Sequence, residues 1–486
     1  MREKGMNRAT RAMRGLIAAV STLALAGCNL APKYVQPAAP VPPALPQGQA
    51  FPALAPGDGA IDAMGWQSFF TDPRLKDTIA LALANNRDLR VTIANVERTR
   101  ALYRVQRAGQ FPTIGANLGA GVTHNASAAA ASGAGNGTNI GAGTTENYSA
   151  SASISAFELD LFGRRQNLTR SAFEAYLASE EGRKAAQIAL VAEVANAWLT
   201  YAATGDALGV ARETLASQEQ SLRVNQRRES LGIGTGLDVA QAQTQVDSAR
   251  AAVADYETDL AQAKNALDLL AGATVAPELL PATLGAGDQV LASLPVGLDS
   301  SVLLRRPDVL QAEHQLRAAN ADIGVARAAF FPSISLTGLL GFASQSLSSL
   351  LSADSFRWSA SGTASQTLFD FGGNAANLAA TKASRDAAVA TYEGAIQTAF
   401  REVADALARR GTIDAKVSAQ QSLSDNATRA ARISQSRFAN GVAAYLEPLD
   451  AQRTAYAARQ ALVTARLARA TNMVTLYRTL GGGLQP

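Results

Sequence analysis

Two long, alanine-rich segments without proline constrain the fold of this chain more than any other feature. They cover residues 164–231 and 373–440. An unbroken helix over either range would be roughly 100 Å long, far beyond the size of one globular domain. Apolar residues at heptad-like spacing, such as Leu190 and Val194, favour packing between neighbouring helices, and frequent alanine allows close approach.

The two segments belong to an internal duplication. Residues 231–245 align with residues 440–454 at an offset of 209, matching Gly232 with Gly441. The same offset pairs Phe162 with Phe371, Leu237 with Leu446, Glu193 with Glu402 and Gly272 with Gly481. Upstream the offset becomes 220 and pairs "FPTI" from Phe111 with "FPSI" from Phe331. Each repeat is therefore predicted to contain a helix, a strand, a loop, a strand, a very long helix, a turn and a helix.

The remaining helices of each repeat are predicted to be about half as long. Returning helices are expected at 238–271 and 449–480, and preceding helices at 75–108 and 302–329. Each would measure roughly 50 Å, so two of them stacked end to end would match one long helix.

A second pattern is an alternation of serine with apolar residues, in "YSASASISA" from Tyr148 and in "FRWSASGTASQTL" from Phe356. Successive side chains of a strand point to opposite faces, so one face carries hydroxyls and the other carries alanine, isoleucine and aromatic rings. Gln366 is the one exception to this alternation. The pattern predicts four strands, at 113–123, 148–159, 333–342 and 356–368.

A tilted strand of about 10 residues is long enough to cross a bilayer, but four strands cannot close a barrel. Because lipid does not tolerate open sheet edges, two or three copies are expected to supply eight or twelve strands. The serine face is then expected to face water in the lumen and the apolar face to face lipid. Tyr148, Phe356 and Trp358 would form an interfacial girdle, and the linkers 119–147 and 343–354 would be exposed loops.

The N-terminus has the pattern of an export signal. Basic residues from Arg2 to Arg14 precede the apolar run "LIAAVSTLALAG", which ends at Cys28 and is too short to span a membrane as a helix. The sequence "LAGC" resembles the lipobox of bacterial lipoproteins, which implies lipidation of Cys28; a stray buried cysteine is the alternative. Asn29 follows, rather than the aspartate that would suggest inner-membrane retention, so the outer membrane is favoured.

Composition and residue inventory argue against other classes of function. Charged residues make up 17% of the chain, and the net charge of +4 includes the basic signal, so no nucleic-acid partner is expected. The two histidines, His124 and His314, lack metal-ligand spacing, and no nucleophile motif is present. The glycine-rich linker lacks the Gly-Lys-Ser/Thr of a phosphate-binding loop. We expect no enzyme activity, no metal and no cofactor.

Three stretches carry a family resemblance: "RRPDVLQAEHQLRAANADIGVARAAFFPSISLTG" from Arg305, "LFDFGG" from Leu368 and "YLEPLDAQR" from Tyr445. With them the chain resembles the outer-membrane efflux proteins of the TolC and OprM family, in the lipidated branch that serves resistance-nodulation-division (RND) pumps. The resemblance implies a homotrimer whose 12-stranded barrel continues into a periplasmic helical tunnel. It also implies a periplasmic adaptor (membrane fusion) protein and an inner-membrane RND transporter as partners.

The resemblance further implies a gate at the turns between the long and returning helices. The matching positions are Leu446, Glu447 and Asp450, with Asp238 at the equivalent turn of the first repeat. Three-fold symmetry would bring like carboxylates close to one axis, where repulsion and hydration control passage. The alternative is that these acids simply favour the positive N-termini of the returning helices.

One departure from the family pattern concerns the latch of the closed state. Some relatives carry an arginine just after the glycine of the second turn, where this chain has Ala443 and Ala444. Any latch must therefore use other groups, and Arg437 and Arg228 are both candidates.

Together these features predict an α+β membrane protein with an internal two-fold repeat and four strands per chain. The expected segments are a signal peptide (1–27), a lipidated proline-rich strap (28–60), repeat 1 (61–272), a connector (273–300) and repeat 2 (301–486). The strap, the connector and the C-terminus are expected to form a belt around the tunnel. A conduit for drugs and a TolC-like conduit for protein secretion both fit, whereas the alternating strands argue against a purely structural coiled-coil lipoprotein.

Overall fold

The computed structural model describes residues 29–51, 65–125, 143–285, 291 and 300–482. The chain divides into two units, which are considered separately. Of the described residues, those within 29–36, 98–177 and 314–389 form the sheet unit, and those within 37–97, 178–313 and 390–482 form the turn unit.

Eight α-helices are found in the described residues. They are α1 (Trp66–Phe69), α2 (Pro73–Asn85), α3 (Arg87–Ala108), α4 (Arg164–Ser230), α5 (Gly236–Ala271), α6 (Pro307–Ala328), α7 (Gly373–Ala439) and α8 (Leu446–Thr479). The two longest, α4 and α7, have 67 residues each and end one residue before the predicted positions. Short 3₁₀ turns cover Pro277–Leu279 and Ser300–Arg305. None of the described helices is long and apolar enough to span a membrane.

The returning helices begin slightly earlier than predicted, at Gly236 rather than 238 and at Leu446 rather than 449. Two other predicted helices differ more. The helix predicted over 75–108 is interrupted at Asn86, whose side chain accepts a hydrogen bond from the Leu89 amide at 2.9 Å and donates to the Leu270 carbonyl at 2.9 Å. Asparagine caps a new helix in this way because its short side chain competes for backbone groups. The helix predicted from residue 302 starts at Pro307, which fits the first turn of a helix.

The four strands form one antiparallel sheet in the order β1 (Ile114–Asn125), β2 (Gly143–Leu159), β3 (Ser333–Ser344) and β4 (Phe356–Ser365). The first hairpin is longer than predicted, because both ends of the linker 119–147 continue the ladder as far as the pair Asn125–Gly143. β4 instead ends three residues before the predicted Leu368. Among the described residues β1 pairs with β2 alone and β4 with β3 alone, so each has one unpaired edge.

The register assigns the two faces of the sheet across all four strands. Ser151 lies opposite Asn117 and Gly341, whereas Ala152 lies opposite Ala116 and Leu340. Residues that face each other in a ladder share a face, so the serine alternation continues into neighbouring strands. The apolar face carries large exposed side chains: Ile114, Leu118, Val122, Leu336, Leu340, Phe356 and Trp358.

A β-bulge in β2 switches which residues face each side. Two residues, Ser155 and Ala156, oppose the single residue Thr337 between the pairs Ile154–Gly338 and Phe157–Leu336. Ala156 adopts a φ of 46°, and its amide donates to the Thr337 hydroxyl at 3.3 Å. The extra residue turns Phe157 onto the apolar face, where an uninterrupted alternation would have placed it among the serines.

The turn unit is held by buried aromatic and aliphatic side chains. The rings of Phe69 and Tyr477 stack at 4.3 Å, with Phe70 edge-on to both. Trp198 is 1% exposed, and its indole N–H donates to the carbonyl of Leu279 at 2.9 Å. These contacts attach α1 to α8 and the connector to α4.

The glycine that follows α5 packs closely against the end of α2. Gly272 has a φ of 66°, and a Cβ there would overlap the Asn85 carbonyl group. Gly232 has a φ of 72° but no atom within 4 Å of a Cβ position. We predict that Gly232→Ala lowers the free energy of unfolding by roughly 1–2 kcal/mol, the cost of the left-handed conformation, and that Gly272→Ala lowers it more.

Denaturant unfolding of both variants in detergent, followed by circular dichroism, measures the two losses. Equal losses would contradict the prediction, because they would mean that the Asn85 backbone moves away without cost.

Candidate functional site

The two helix–helix turns that carry the predicted gate residues have the same backbone geometry. In the first, the Gly232 amide donates to the Glu229 carbonyl at 2.8 Å and the Ile233 amide donates to the Arg228 carbonyl at 3.0 Å. In the second, Gly441 donates to Phe438 at 3.0 Å and Val442 donates to Arg437 at 2.9 Å. This pattern closes a helix around a glycine with positive φ, so the duplication also repeats the turns.

A small buried cluster joins the two turns. It contains Ala242, Phe438, Tyr445 and Leu449, with Leu222 and Val224 packed against it. The rings of Phe438 and Tyr445 lie 5.4 Å apart. Burial raises the pKa of the Tyr445 phenol, and the nearby negative charge of Asp238 raises it further, so this group stays neutral in the physiological range.

The equivalent acids Asp238 and Glu447 have different partners. Asp238 belongs to a capping box: its carboxylate accepts from the Thr235 amide at 3.2 Å, and the Thr235 hydroxyl accepts from the Asp238 amide at 3.2 Å. Glu447 lies in the first turn of α8 and forms an ion pair with Arg437 at 3.1 Å. Asp238 therefore caps the start of α5, whereas Glu447 is paired with the partially exposed side chain of Arg437.

The other two predicted gate residues are exposed at the second turn. Leu446 is 65% exposed, and Asp450 is also exposed, with its backbone carbonyl accepting from the Thr454 hydroxyl at 3.0 Å. Four more large apolar side chains are exposed at these turns and were not predicted from the sequence as gate residues: Leu231, Ile233, Leu237 and Val442. The signal was present, since Ile233 matches Val442 and Leu237 matches Leu446 at the repeat offset.

The two arginines considered as latches are also repeat equivalents, and they differ in their contacts. The Arg228 guanidinium lies over the Phe438 ring at 5.0 Å. Such a cation–π contact ties the first turn to the end of α7. Arg437 binds Glu447 across the second turn, so it is the arginine that contacts a predicted gate residue.

The residues that follow Cys28 are bound in the sheet unit; Cys28 itself lies outside the described residues. The Asn29 side-chain carbonyl accepts from the Asn167 side-chain amide at 2.9 Å and from the Ala31 amide at 3.0 Å. Helix α6 contributes Asn320, which donates to the Pro32 carbonyl at 2.8 Å, and Arg327, which donates to the Leu30 carbonyl at 3.0 Å. These contacts fix the strap from its first described residue.

The same stretch of α6 explains part of the family motif in physical terms. A Cβ on Gly324 would overlap the Asn167 side chain and the Ala31 amide, so only glycine lets the strap come this close. The Arg317 guanidinium lies over the Tyr34 ring at 5.0 Å. His314 is hydrogen-bonded to Glu174 at 2.8 Å. In these contacts the motif residues bind the strap and helix α4.

In the turn unit, Arg306 of the same motif is a buried ionic centre. It is 7% exposed and donates to the Thr479 carbonyl at 2.6 Å, to Glu402 at 2.9 Å and to Asp308 at 2.7 Å. Burial disfavours the charge, yet the two carboxylates outweigh this effect and raise the pKa of Arg306. The guanidinium thereby joins the start of α6 to α7 and to the end of α8.

Within the described part of the chain, no group of three or more His, Cys, Asp or Glu side chains could hold a metal ion. The candidate site is the pair of repeat-equivalent turns, which carry acids, arginines and exposed aliphatic side chains.

Comparison with known proteins supplies the family. Residues 78–273 and 298–482 match the family model described as "Outer membrane efflux protein". The chain is 43% identical over 96% of its length to the toluene efflux pump outer membrane protein TtgC of Pseudomonas putida, of which it covers 94%. It is 41% identical to the outer membrane protein OprJ of Pseudomonas aeruginosa, with 96% of each chain covered.

The fold agrees with a solved structure of the same kind. The open state of the MtrE outer membrane channel of Neisseria gonorrhoeae superposes with a TM-score of 0.82 at 34% identity, covering 94% of this chain and 99% of that one. Both the sequence and the fold match over nearly the full length of these proteins, and the chain therefore belongs to the outer membrane efflux protein family.

Proposed function

We propose that three copies of this chain form one channel that carries drugs or other small molecules through the outer membrane as the last component of a tripartite efflux pump. Family membership and the relatives confirm the predicted role in outer-membrane efflux, rather than protein secretion or an enzyme activity. The observation that carries the assembly of three copies is the sheet. One face is apolar and exposed, and both outer strands have an edge that no other described part of the chain pairs.

The strand order explains how copies would join. In an antiparallel sheet of four strands, β1 and β4 run in opposite directions, so β4 of one copy can pair antiparallel with β1 of the next. Closure in this way pairs the backbone amides and carbonyls of every strand edge, as the hydrocarbon region of a membrane requires. Eight strands enclose a space that side chains fill, whereas twelve leave room for water, so three copies suit a conducting channel better than two.

The duplicated helices support a tunnel built on the same symmetry. Each chain contributes two long helices and two returning helices, and trimerisation would arrange six equivalent turns around one axis. The belt expected around the tunnel is supported by contacts in the turn unit: Ser300 of the connector donates to the Pro43 carbonyl of the strap at 2.8 Å.

The names of the relatives favour small molecules over protein secretion. TtgC is named as part of a toluene efflux pump, and we extend a small-molecule substrate class to this chain on that basis. The proposed partners are a periplasmic adaptor (membrane fusion) protein and an inner-membrane RND transporter. Cross-linked purification separates the alternatives, because a secretion conduit would instead retain a transport apparatus for proteins.

At the turns, we propose that Leu446, Glu447 and Asp450 form the closed gate. Three copies would bring Glu447 and Asp450 of every chain near one axis, where water and counter-ions must compensate their repulsion. The Arg437–Glu447 pair, whose side chains are 51% and 41% exposed, contributes at most a modest stabilisation of the closed state. An adaptor that binds the open packing better can therefore shift the equilibrium.

The first prediction from the proposed function concerns the faces of the sheet. Arginine at Ala152 or Ile154 should cost roughly 2–4 kcal/mol if near mid-membrane, whereas arginine at Ser151 or Ser361 should be tolerated or change conductance. Trimer yield and single-channel conductance in planar bilayers measure both effects. Equal damage from both sets would mean that the faces are assigned incorrectly, and would remove the main support for a lipid-embedded barrel.

The second prediction concerns the gate. Replacing Leu446, Glu447 and Asp450 together by alanine should raise single-channel conductance and reduce block by divalent cations, because both the constriction and its carboxylates are removed. Asp255→Ala with Asp259→Ala is the matched control, since it removes two exposed acids from the middle of α5.

Unchanged conductance and block in the triple variant, with the trimer intact, would place the constriction elsewhere. The acids would then be ordinary helix-start residues, the role that Asp238 already has in its capping box.

The third prediction concerns the anchor. We propose that Cys28 is acylated and becomes the first residue of the mature chain, directly before Asn29, which is bound by Asn167. Mass spectrometry should find the mature N-terminus at an acylated Cys28. Cys28→Ser should lower assembly or yield more than pore function, because the sheet still inserts; an unmodified N-terminus elsewhere would rule out the anchor.

A further inference from the structure

The contact between the two repeats inside one chain supplies a template for the contact between chains. Phe162, in the loop after β2, stacks on Phe331, which precedes β3, with ring centroids 4.7 Å apart and planes 20° apart. The repeat offsets make Phe371 the equivalent of Phe162 and Phe111 the equivalent of Phe331. Phe371 is 91% exposed and Phe111 is 63% exposed, so one chain contains both halves of a second such contact and leaves both open.

A neighbouring contact shows that the two repeats are built alike around these loops. Arg165 donates to the Gly109 carbonyl at 2.6 Å, and its equivalent Asn374 donates to the carbonyl of Ala329, the equivalent of Gly109, at 3.4 Å. Within each repeat the loop is therefore attached to the preceding helix in the same way. The two loops differ in their phenylalanine: Phe162 stacks on Phe331 of the second repeat, whereas Phe371 remains exposed.

The loop after β4, which contains Phe371, also has features that favour a contact with another copy. Phe371 adopts a φ of 53°, which is costly for a residue with a side chain, whereas Phe162 does not have a positive φ. Its ring packs edge-on against Phe369, which is 75% exposed. Leu368 is 92% exposed and lies beyond the end of β4. Its equivalent Leu159 instead lies in β2 and pairs with Ile334 of β3.

We propose that Phe371 of each copy stacks on Phe111 of the next copy, and that β4 of the first extends to Leu368 and pairs with β1 of the second. The inference rests on the proposed assembly of several copies and specifies its contact. The register follows from the template: Leu159 pairs with Ile334, so Leu368 lies opposite Ile114 of the next copy.

This register is consistent with the faces of the whole sheet. It sets Ala364 opposite Leu118 and Ala360 opposite Val122 on the apolar face, and Ser365 opposite Asn117 on the serine face. A shift by one residue would place serines against leucine and valine in lipid, because side chains alternate with a period of two. The pairing needs no bulge in β4, in contrast to β2.

Cysteine pairs test the register directly. Two differently tagged chains are co-expressed, one carrying Leu368→Cys and the other Ile114→Cys, and outer membranes are oxidised. Opposed residues are close enough for a disulfide, so we expect a reducible dimer that carries both tags. In the matched control, Gly115→Cys replaces Ile114→Cys. A side chain at position 115 has open space around it but lies on the opposite face of the sheet from Leu368, so we expect no dimer. Chains with Cys28 as their one cysteine give the background.

Alanine variants test the ring contact without introducing a cysteine. Phe111→Ala and Phe371→Ala should each lower the temperature at which copies dissociate in mild detergent, and the double variant should lower it no further than the larger single effect. Additive losses would overturn the ring contact, and a mixed dimer from the Gly115 control but not from Ile114 would overturn the register. An intact trimer without these effects rejects this inference alone, whereas a wild-type chain that stays single also rejects the proposed assembly.

Discussion

The need to satisfy backbone hydrogen bonds in lipid is the constraint on which the proposed assembly depends. A four-stranded sheet with an apolar face has two edges that water cannot reach once the sheet is inserted, and an unpaired amide or carbonyl there costs several kcal/mol. Four strands per chain, an even number, give edges of opposite direction that a second copy can pair. The small residues of the serine face then leave space in a shared lumen.

The internal duplication supplies two copies of each part, and the structure shows that equivalent residues have acquired different tasks. Asp238 caps a helix, whereas Glu447 pairs with an arginine across its turn. Phe162 is stacked within the chain, whereas Phe371 lies exposed. Such differences are expected where a repeat meets its own chain on one side and another copy on the other.

The proposed gate and the proposed anchor require opposite properties of the structure around them. At the turns, exposed aliphatic side chains and a partially exposed ion pair would give the proposed closed state only modest stability, which a partner could shift. Near the N-terminus, hydrogen bonds from Asn167, Asn320 and Arg327 hold the strap along helices α4 and α6. The strap is therefore suited to a fixed position and the turns to movement.

The sequence by itself determined the long helices to within one residue, the repeat and the alternating strands, because these follow from local periodicity, glycine at helix ends and the absence of proline. It indicated the family in a different way, through the resemblance of the stretches that begin at Arg305, Leu368 and Tyr445. Only the tertiary structure decided the break at Asn86, the bulge that turns Phe157 to the apolar face, the contact of Arg437 rather than Arg228 with Glu447, and the early end of β4. These features depend on which residues meet, or fail to meet, across a turn, between strands or between helices, and the period of the sequence does not specify those contacts.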